Sequence, residues 1–477
     1  MSAVDERIEQ IERGPEGPRV GAFFDLDGTL IAGYSATVFY QEFVRRRQMS
    51  VGEVARSVLA GAEMGLRGSD VTKLVEIVAS SFAGRSEDEL LELGERLFVQ
   101  RIAGMVYPDA RRLVRAHQRR GHTVALASSA TRYQVAPVAE DLGVEHVLAT
   151  GIEVAGGVFT GNLDGDVLWG PGKGRAVREF ARERKVSLRG SYGYGNGDED
   201  MYFLDLMGMP CALNPQPGLA RVASERGWPS FRLDGRGRPS VESVLRTGAA
   251  LTGLGTAAVV GAGVGLLNGS RRDAANLATA IGPRLALGLA GVRLRVVGEQ
   301  NLWSRRPAVF VFNHQSSIDV AVVGALVGRD LTGVAKREAA RDPRFAPLGL
   351  LVDIAYIDRG NTAQAKAALA PVIEKLREGV SIAIAPEGTR SATPKLGPFK
   401  KGAFHIARQA RVPIVPIVIR NAGDVMWRNS PFIRKGTIDV AVLKPIPTKR
   451  WKAAEIGERT EEVRERFRAT LERWPEE

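Results

Sequence analysis

The stretch VGAFFDLDGT, residues 20–29, decides the fold of the first half of the chain. It begins as a short apolar strand and ends in a polar turn with two carboxylates, Asp25 and Asp27. Downstream, the apolar runs Thr123–Ala127 and Ser191–Tyr194 also end in polar turns, with helical periodicity between them. Alternating strands and helices of this kind predict an open, mostly parallel α/β sheet, with its sites beyond the strand C-termini.

Further polar residues follow at strand ends and at a helix start. Ser128 comes directly after the second apolar run, Lys173 lies near a helix start in PGKGRAV, and Asn196 and Asp200 occupy a turn after the third run. Taken alone, the DLDGT turn is also compatible with a calcium-binding or capped loop. The ordered hydroxyl, cation and second polar cluster favour a phosphate site instead, because parallel strands bring such ends together.

This order of motifs resembles the haloacid dehalogenase superfamily, in its phosphoserine phosphatase-like branch, over about residues 19–232. The resemblance implies a Rossmann-like sheet with a helical cap at about residues 31–105. It implies that Asp25 attacks phosphorus and that Asp27 acts as general acid and then general base. By the same resemblance, Ser128 and Lys173 hold the phosphoryl oxygens.

A magnesium site is implied by the same resemblance. Mg²⁺ would take its ligands from Asp25, the Asp27 carbonyl, Asn196 and Asp200, which together form an oxygen-rich set. Many relatives carry an aspartate where this chain has Asn196. A phosphatase-like domain without catalytic activity, serving as a binding or dimerisation module, therefore stays open as an alternative.

The middle of the chain is unusual in composition. After a linker-like DGRGRPS, residues 234–240, the 24 residues Thr247–Ser270 contain no charged side chain. This length suffices to cross a bilayer, which takes about 20 residues, but alanine and glycine dominate over leucine. A second apolar run, Ala274–Val292, carries only Arg284. The interpretations that stay open are a buried small-residue hairpin, a segment inserted in the membrane, and a shallow hairpin on the membrane surface. A single crossing would put the two domains on opposite sides, so we expect a shallow hairpin or one that lies in the interface.

Four blocks define the second half. They are NHQSSID at residues 313–319, YIDR at 356–359, PEGTRS at 386–391 and VPIVP at 412–416. In this order, over about residues 285–447, they resemble the glycerolipid acyltransferases, and most closely the 1-acylglycerol-3-phosphate O-acyltransferases. The fold implied is a second α/β domain.

The resemblance also implies a set of roles. His314 is the general base for the acceptor hydroxyl, Asp319 fixes its tautomer, and the hydroxyl attacks the thioester of acyl-CoA directly. No enzyme thiol is needed, and the only cysteine, Cys211, lies in the other half. The implied substrate-binding residues are Arg359, Glu387, Gly388, Thr389 and Arg390, with the two arginines as phosphate ligands.

Charge separates the two halves. Residues 1–240 hold 30 basic and 32 acidic side chains, whereas residues 241–477 hold 36 basic and 22 acidic ones. The excess of +14 in the second half predicts an anionic partner, which fits lysophosphatidic acid, acyl-CoA and an anionic membrane surface. Aromatic residues are sparse among the basic ones, so we expect no nucleic-acid binding.

The 477 residues have ordinary globular composition, with 44% hydrophobic and 25% charged residues, and one cysteine excludes an internal disulfide. We expect a phosphatase domain at residues 1–236, a linker and apolar hairpin at 237–284, and an acyltransferase domain with a charged C-terminal helix at 285–477. The expected protein is a bifunctional enzyme of phospholipid synthesis at the cytoplasmic face of a membrane. A homodimer, and a soluble phosphatase with a merely lipid-binding second half, stay open.

Overall fold

A computed structural model describes residues 2–46, 71–236, 239–336, 355–357 and 369–475. The chain forms two compact units, Met1–Gly237 and Arg238–Glu477. Each unit has its own largely parallel sheet, so the predicted α/β class is confirmed.

The elements of the first unit follow one another as predicted, in alternation. Its strands are β1 (Gly21–Phe24), β2 (Thr123–Thr131), β3 (His146–Ala155), β4 (Val158–Asp164), β5 (Tyr192–Gly195), β6 (Met209–Leu213) and β7 (Ser230–Phe231). Its helices are α1 (Ala3–Arg13), α2 (Ser35–Arg45), α3 (Val71–Ser81), α4 (Glu87–Gln100), α5 (Pro108–Arg119), α6 (Arg132–Leu142), α7 (Pro171–Glu183), α8 (Met201–Leu204) and α9 (Pro217–Arg226).

The sheet of this unit has the strand order β4-β3-β2-β1-β5-β6-β7, and only β3 and β4 pair antiparallel. All four residues of β1 are buried, as expected for a strand covered on both faces. Phe24 lies in register with Leu126 of β2 and with Tyr194 of β5. The turns that follow β1, β2 and β5 therefore meet at one edge of the sheet, where the sequence placed its polar residues.

Several boundaries differ from the sequence prediction. Strand β2 continues past Ala127 to Thr131, with an irregular register between Ser128 and Thr131. Strand β3 begins at His146 and first pairs parallel with β2, and its antiparallel hairpin with β4 starts at Gly151, within one residue of the Ile152–Asp164 hairpin that the glycine turn at residues 156–157 predicts. Helices α2, α3 and α4 occupy the predicted cap, and residues 47–70 of that cap lie outside the described residues.

A chain of hydrogen bonds between buried side chains lies beneath this sheet. His117 Nε2 is 2.8 Å from the Tyr194 hydroxyl, and the Nδ1 atoms of His117 and His122 are 2.8 Å apart. His122 Nε2 lies 2.9 Å from the Pro15 carbonyl, to which it must donate. With both rings neutral, His117 then donates from Nδ1 and accepts from Tyr194. Burial, with smaller effects of His122 and Arg7, holds the pKa of His117 well below its usual value, which keeps the ring neutral.

The second unit begins with two long helices and continues as a second α/β layer. Its strands are β8 (Val292–Val297), β9 (Val309–Phe312), β10 (Leu331–Lys336), β11 (Ala355–Ile357), β12 (Ser381–Ile384), β13 (Ile414–Arg420) and β14 (Gly436–Val442). Its helices are α10 (Val241–Asn268), α11 (Arg271–Leu289), α12 (Ile318–Val327), α13 (Leu369–Arg377), α14 (Gly402–Ala410), α15 (Ala422–Val425) and α16 (Ile456–Glu472).

The second sheet has the order β11-β10-β12-β9-β13-β14-β8, with only β13 and β14 antiparallel. Strand β9, sequence VFVF, is buried throughout and lies between β12 and β13. Its alternate side chains enter two apolar clusters, Phe310 and Phe312 in one and Val309 and Val311 in the other. The motif after β9 and the motif after β12 therefore share one edge of the sheet.

Small residues bring α10 and α11 close together. A Cβ atom on Gly261 would lie 2.6 Å from the Ala274 carbonyl oxygen, and one on Gly265 would lie 2.5 Å from the Ala274 Cβ. The four-residue spacing of Gly261 and Gly265 therefore lets the two helices approach closely. Gly269 instead ends α10 in the left-handed conformation, with φ of 68°.

The two faces of α10 differ in exposure. Ala250, Gly253 and Ala257 are buried towards α11, whereas Val259, Leu266 and Leu267 are 73%, 86% and 90% exposed. Among the described residues, α10 is the helix that is long and apolar enough to span a membrane, with a mean hydropathy of 1.8. Length and composition alone do not distinguish a membrane helix from a core helix.

Candidate functional sites

The first site forms around the carboxylate of Asp25, at the end of β1. Lys173, in the first turn of α7, donates from Nζ to Asp25 Oδ1 and to Asp200 Oδ1, each at 2.7 Å. The ammonium and both carboxylates are almost fully buried. Two carboxylates that lie 148 and 27 positions from Lys173 along the chain thus meet its ammonium in one charged cluster.

Burial dominates the electrostatics of this cluster. Burial raises the pKa of Asp25 to about 8, with the Lys173 ammonium acting against it and Asp200 adding to it. For Lys173, burial acts to lower the pKa, but the carboxylates of Asp200 and Asp25 outweigh it and raise the pKa. The site therefore holds its ammonium charged and still has an excess of acidic groups.

Asp27 has a hydrogen-bond partner other than Lys173, namely Ser35. Its Oδ1 accepts from the Ser35 N–H at 2.7 Å and its Oδ2 from the Ser35 hydroxyl at 3.1 Å. Burial raises the pKa of Asp27, against these two hydrogen bonds. A carboxyl group with a raised pKa suits general acid catalysis.

The turn after β1 is fitted closely to the turn after β5. Thr29 Oγ1 lies 2.9 Å from Asp25 Oδ2 and 3.2 Å from Asn196 Oδ1. Gly28 has φ of 84°, and a Cβ atom there would lie 2.1 Å from the Asn196 amide nitrogen. Only glycine satisfies both conditions, which explains the glycine of the DLDGT turn.

Ser128 lies on β2, two residues beyond Leu126, which is the register partner of Phe24. It is buried, and its hydroxyl oxygen accepts from the Ala130 N–H at 3.2 Å. It therefore lies at the same sheet edge as Asp25, on the opposite side from β5.

The oxygen atoms around Asp25 fit a hard divalent cation. Within the described ranges, no three His, Cys, Asp or Glu side chains group into a metal site. The expected set mixes the carboxylates of Asp25 and Asp200 with the Asn196 amide and the Asp27 carbonyl. Such all-oxygen donors suit Mg²⁺, and the surplus of acidic groups beside one ammonium suits its charge. Asp200 Oδ2, however, already accepts from the main-chain N–H groups of Asn196 and Gly197, at 2.9 and 3.0 Å.

The second site forms at the end of β9. His314 Nδ1 lies 2.9 Å from Asp319 Oδ2, and the same oxygen accepts from the N–H groups of Gln315 and Ser316, each at 2.7 Å. Asp319 is fully buried at the start of α12, whereas the His314 side chain is 20% exposed. Because Asp319 has two fixed main-chain donors, it holds the imidazole in a single orientation.

Glu387 fixes the main chain of His314. Its Oε1 accepts from the His314 N–H at 2.7 Å and its Oε2 from the Gly397 N–H at 2.9 Å. Burial raises the pKa of Glu387, against these hydrogen bonds. The His314 carbonyl in turn accepts from the Ser391 N–H at 2.7 Å. The sequence analysis predicts that Glu387 binds substrate, and the structure adds a direct contact of Glu387 with the main chain of His314.

Arg390 extends from the same loop towards α12. Its Nη1 donates to the Ser317 hydroxyl and to the Arg428 carbonyl, each at 2.6 Å. Gly388 turns the loop with φ of 77°, and Thr389 is exposed. Arg359, the other predicted phosphate ligand, lies outside the described residues.

Comparison with known proteins assigns a class to each half. Residues 22–205 match the family described as haloacid dehalogenase-like hydrolase, and residues 293–420 match the family described as Acyltransferase. The chain belongs, through its first half, to the haloacid dehalogenase-like hydrolases, and its second half carries an acyltransferase domain. Both predicted resemblances are confirmed.

Individual relatives point the same way. The first half is 34% identical over 236 residues to a phosphoserine phosphatase of Mycobacterium tuberculosis, covering 48% of this chain and 77% of the relative. The second half is 34% identical over 186 residues to a 1-acyl-sn-glycerol-3-phosphate acyltransferase of Saccharomyces cerevisiae, covering 38% of this chain and 61% of the relative. The chain spans about three fifths of the length of the curated acyltransferases it matches.

Among solved structures, a 1-acyl-sn-glycerophosphate acyltransferase of Thermotoga maritima matches with 22% identity and a TM-score of 0.41. The match covers 50% of this chain and 99% of that chain.

Four residues of these sites were not predicted from sequence. Thr29 belongs to the DLDGT motif and Ser317 to the NHQSSID motif, so both residues could have been predicted from the sequence. Ser35 and Arg428 lie outside every motif. Their distance along the chain from the motifs does not predict the contacts that they make.

Proposed function

We propose that the second unit transfers an acyl chain from acyl-CoA to the free hydroxyl of 1-acylglycerol 3-phosphate, which gives phosphatidic acid. The observation that carries this proposal is the His314–Asp319 pair, 2.9 Å apart at the exposed end of a buried strand. The acceptor is taken from relatives that carry this activity in their names.

The geometry supports a base-catalysed transfer. Because Asp319 accepts a hydrogen bond from Nδ1–H of His314, the free lone pair of the neutral ring is on Nε2. This lone pair can take the proton of the acceptor hydroxyl. The hydroxyl oxygen then attacks the thioester carbonyl, the C–S bond breaks, and the thiolate leaves with the proton returned by the imidazolium. Asp319 stabilises that imidazolium throughout, and Arg390 is suited to the phosphate of the acceptor.

The first unit, we propose, hydrolyses a phosphate monoester. The observation that carries this is Lys173 bridging Asp25 and Asp200 at 2.7 Å. In this proposal Asp25 attacks phosphorus, and Asp27 protonates the leaving oxygen and later deprotonates water. Lys173 and Ser128 would hold the phosphoryl oxygens. The substrate is a small phosphoester or a lipid phosphate.

Mg²⁺ would be held by Asp25, the Asp27 carbonyl, Asn196 and Asp200. When bound, it would offset the negative charge that develops on the phosphoryl group. Asn196 supplies a neutral oxygen, so we expect weak affinity, and millimolar Mg²⁺ is the sensible assay condition.

The two-helix segment, we propose, lies in the interface at the cytoplasmic face of a membrane rather than crossing it. Supporting this, the exposed face of α10 is apolar, while the turn between the helices carries exposed charges at Arg271, Arg272 and Asp273. Taking those charges through a bilayer would be costly. Carbonate extraction and vesicle flotation of wild type and a Leu266→Glu, Leu267→Glu double variant test this. Equal flotation of both would contradict it.

One experiment tests both activities together. Purified full-length protein is incubated with acyl-CoA and a panel of acceptors, and products are identified by mass spectrometry, with His314→Ala and Asp25→Asn variants alongside. Acyl transfer lost only in His314→Ala, and phosphate release lost only in Asp25→Asn, are the expected results. Acyl transfer that survives His314→Ala would refute the first assignment.

A catalytically silent first unit is the alternative that Asn196 motivates. Turnover of a generic aryl phosphate with Mg²⁺, lost in Asp25→Asn, would exclude it. An Asn196→Asp variant that gains activity over a wild type without any would establish it.

A further inference from the structure

Arg428 lies in the loop between α15 and β14 and belongs to none of the four sequence blocks of its unit. Its carbonyl accepts from Arg390 Nη1 at 2.6 Å, so the two residues are in direct contact. Within the described parts of the chain, the Nε atom of Arg428 is buried and has no hydrogen-bond partner. Burial lowers the pKa of Arg428, and the charge of Arg390 lowers it further.

The charges around this pair are unbalanced. Among the described residues, neither guanidinium makes an ion pair with a carboxylate, although most arginines of this unit's helices do. The charge of Arg390 is near enough to lower the pKa of Arg428, and an anion bound beside both guanidinium groups would offset this repulsion. An arginine fork offers parallel N–H groups that match the oxygen atoms of a phosphate.

The position of the pair links it to catalysis. Arg390 also donates to the Ser317 hydroxyl, and Ser317 lies between His314 and Asp319 in sequence. An anion held by the pair is therefore held beside the loop that carries the base. A substrate bound in this way must carry its phosphate close to its reacting hydroxyl. An acceptor with both groups on one glycerol has this property.

We infer that Arg428 is a second phosphate ligand, and that with Arg390 it forms a two-guanidinium site for a phosphate monoester dianion. The inference rests on the proposed acyl transfer. The monoester phosphate could be that of the acceptor or the 3′-phosphate of coenzyme A, and both carry about −1.5 to −2 charges at pH 7.

The test compares wild type with Arg428→Gln, Arg428→Lys and a matched control, Lys435→Gln. Lys435 lies at the end of the same loop, and its only described ion pair is an exposed one with Glu242 at 3.7 Å. KM and kcat are measured for lysophosphatidic acid, for acyl-CoA, for the 3′-dephospho form of the donor, and for 1-acylglycerol as an acceptor without phosphate.

If the acceptor phosphate is bound, Arg428→Gln raises KM for lysophosphatidic acid about 10- to 100-fold, the equivalent of one lost charge-assisted hydrogen bond. The preference over 1-acylglycerol shrinks by the same factor, and Arg428→Lys recovers part of it. If the donor phosphate is bound, KM rises for acyl-CoA and not for its 3′-dephospho form. Either pattern supports the site, with the control near wild type.

Unchanged KM values for both substrates in Arg428→Gln would overturn the inference. A loss that is the same with and without the acceptor phosphate, and also the same for acyl-CoA and its 3′-dephospho form, would overturn it too. A wild type without acyl transfer would refute the proposed function instead. In that event, calorimetric titration of glycerol 3-phosphate into wild type and Arg428→Gln still tests the site, because the difference between them reports only this position. Equal titration curves would then overturn it.

Discussion

Replacing Asp319 with asparagine removes the charge behind His314 with little change in shape. Asp319 Oδ2 accepts three hydrogen bonds, and its Oδ1 is buried without a partner among the described residues. In Asp319→Asn the amide oxygen can take the place of Oδ2, and the NH₂ group the place of Oδ1. The His314 tautomer is therefore kept, and what is lost is the carboxylate beside the imidazolium.

The size of the loss follows from the distance. At 2.9 Å and an effective dielectric constant of about 20, a full ion pair is worth at most about 6 kcal/mol. If the amide dipole keeps about half of this, the barrier rises by about 3 kcal/mol, which lowers kcat about a hundredfold. Three charge-assisted hydrogen bonds become neutral ones, so the free energy of unfolding falls by about 3 kcal/mol as well.

The assay measures kcat for acyl transfer, normalised to folded protein from urea unfolding curves. The matched control is Asp439→Asn, which removes a buried carboxylate of the same unit whose partners are Arg420 at 2.6 Å and Arg295 at 3.3 Å. The control should lose stability without losing kcat per folded molecule. A folded Asp319→Asn protein with more than a third of wild-type kcat would refute the argument, and so would an equal kcat loss in the control.

Three further predictions follow from other parts of the chain. Lys173→Met leaves two buried carboxylates without their cation and should abolish Mg²⁺-dependent hydrolysis of p-nitrophenyl phosphate; measurable turnover would contradict the assigned role. His117 is neutral in the folded state and has a pKa near 6.5 when unfolded, so stability is lost as pH falls below about 6.5. His117→Asn should be less stable at pH 7.5 but show a flatter decline in calorimetric Tm between pH 7 and 5; an unchanged slope would assign the decline to other groups. Gly261→Val should destabilise the second unit by about 2–4 kcal/mol, because its Cβ would lie 2.6 Å from the Ala274 carbonyl, whereas Gly263→Ala, with open space around it, should stabilise it slightly in urea unfolding; equal effects would contradict the packing.

Polar residues at the ends of strands are the part of the candidate sites that could be predicted from the sequence. Asp25, Asn196 and His314 follow apolar runs directly, and parallel pairing then brings such positions together without further information. The position of Lys173 could be predicted for a similar reason, because it lies in the first turn of a helix at the same edge. For these residues the local sequence pattern and the sheet topology both predict a position at the carboxyl edge of the sheet.

Other contacts depend on the course of loops, which local pattern does not determine. Ser35 reaches Asp27 across eight residues, and Arg428 reaches Arg390 across 38. Glu387 was assigned to substrate because its motif suggested it, yet both of its oxygens bind main-chain N–H groups. The last residues of β2 and the first residues of β3 were also not predicted. The register of β2 is irregular after Ser128, and β3 pairs first with β2 and then with β4.

The order of strands in the second sheet has a consequence for synthesis on the ribosome. Strand β8 is the first of its unit to be made, and its parallel neighbour β14 is the last. The sheet therefore cannot close until nearly the whole chain has been translated, while the first unit is already complete and free to fold. During that interval the apolar helices α10 and α11 have emerged without the core they later join. Delivery to a lipid surface at this stage would protect them from aggregation, and a truncated chain lacking β14 should accumulate with chaperones rather than as a partly active enzyme.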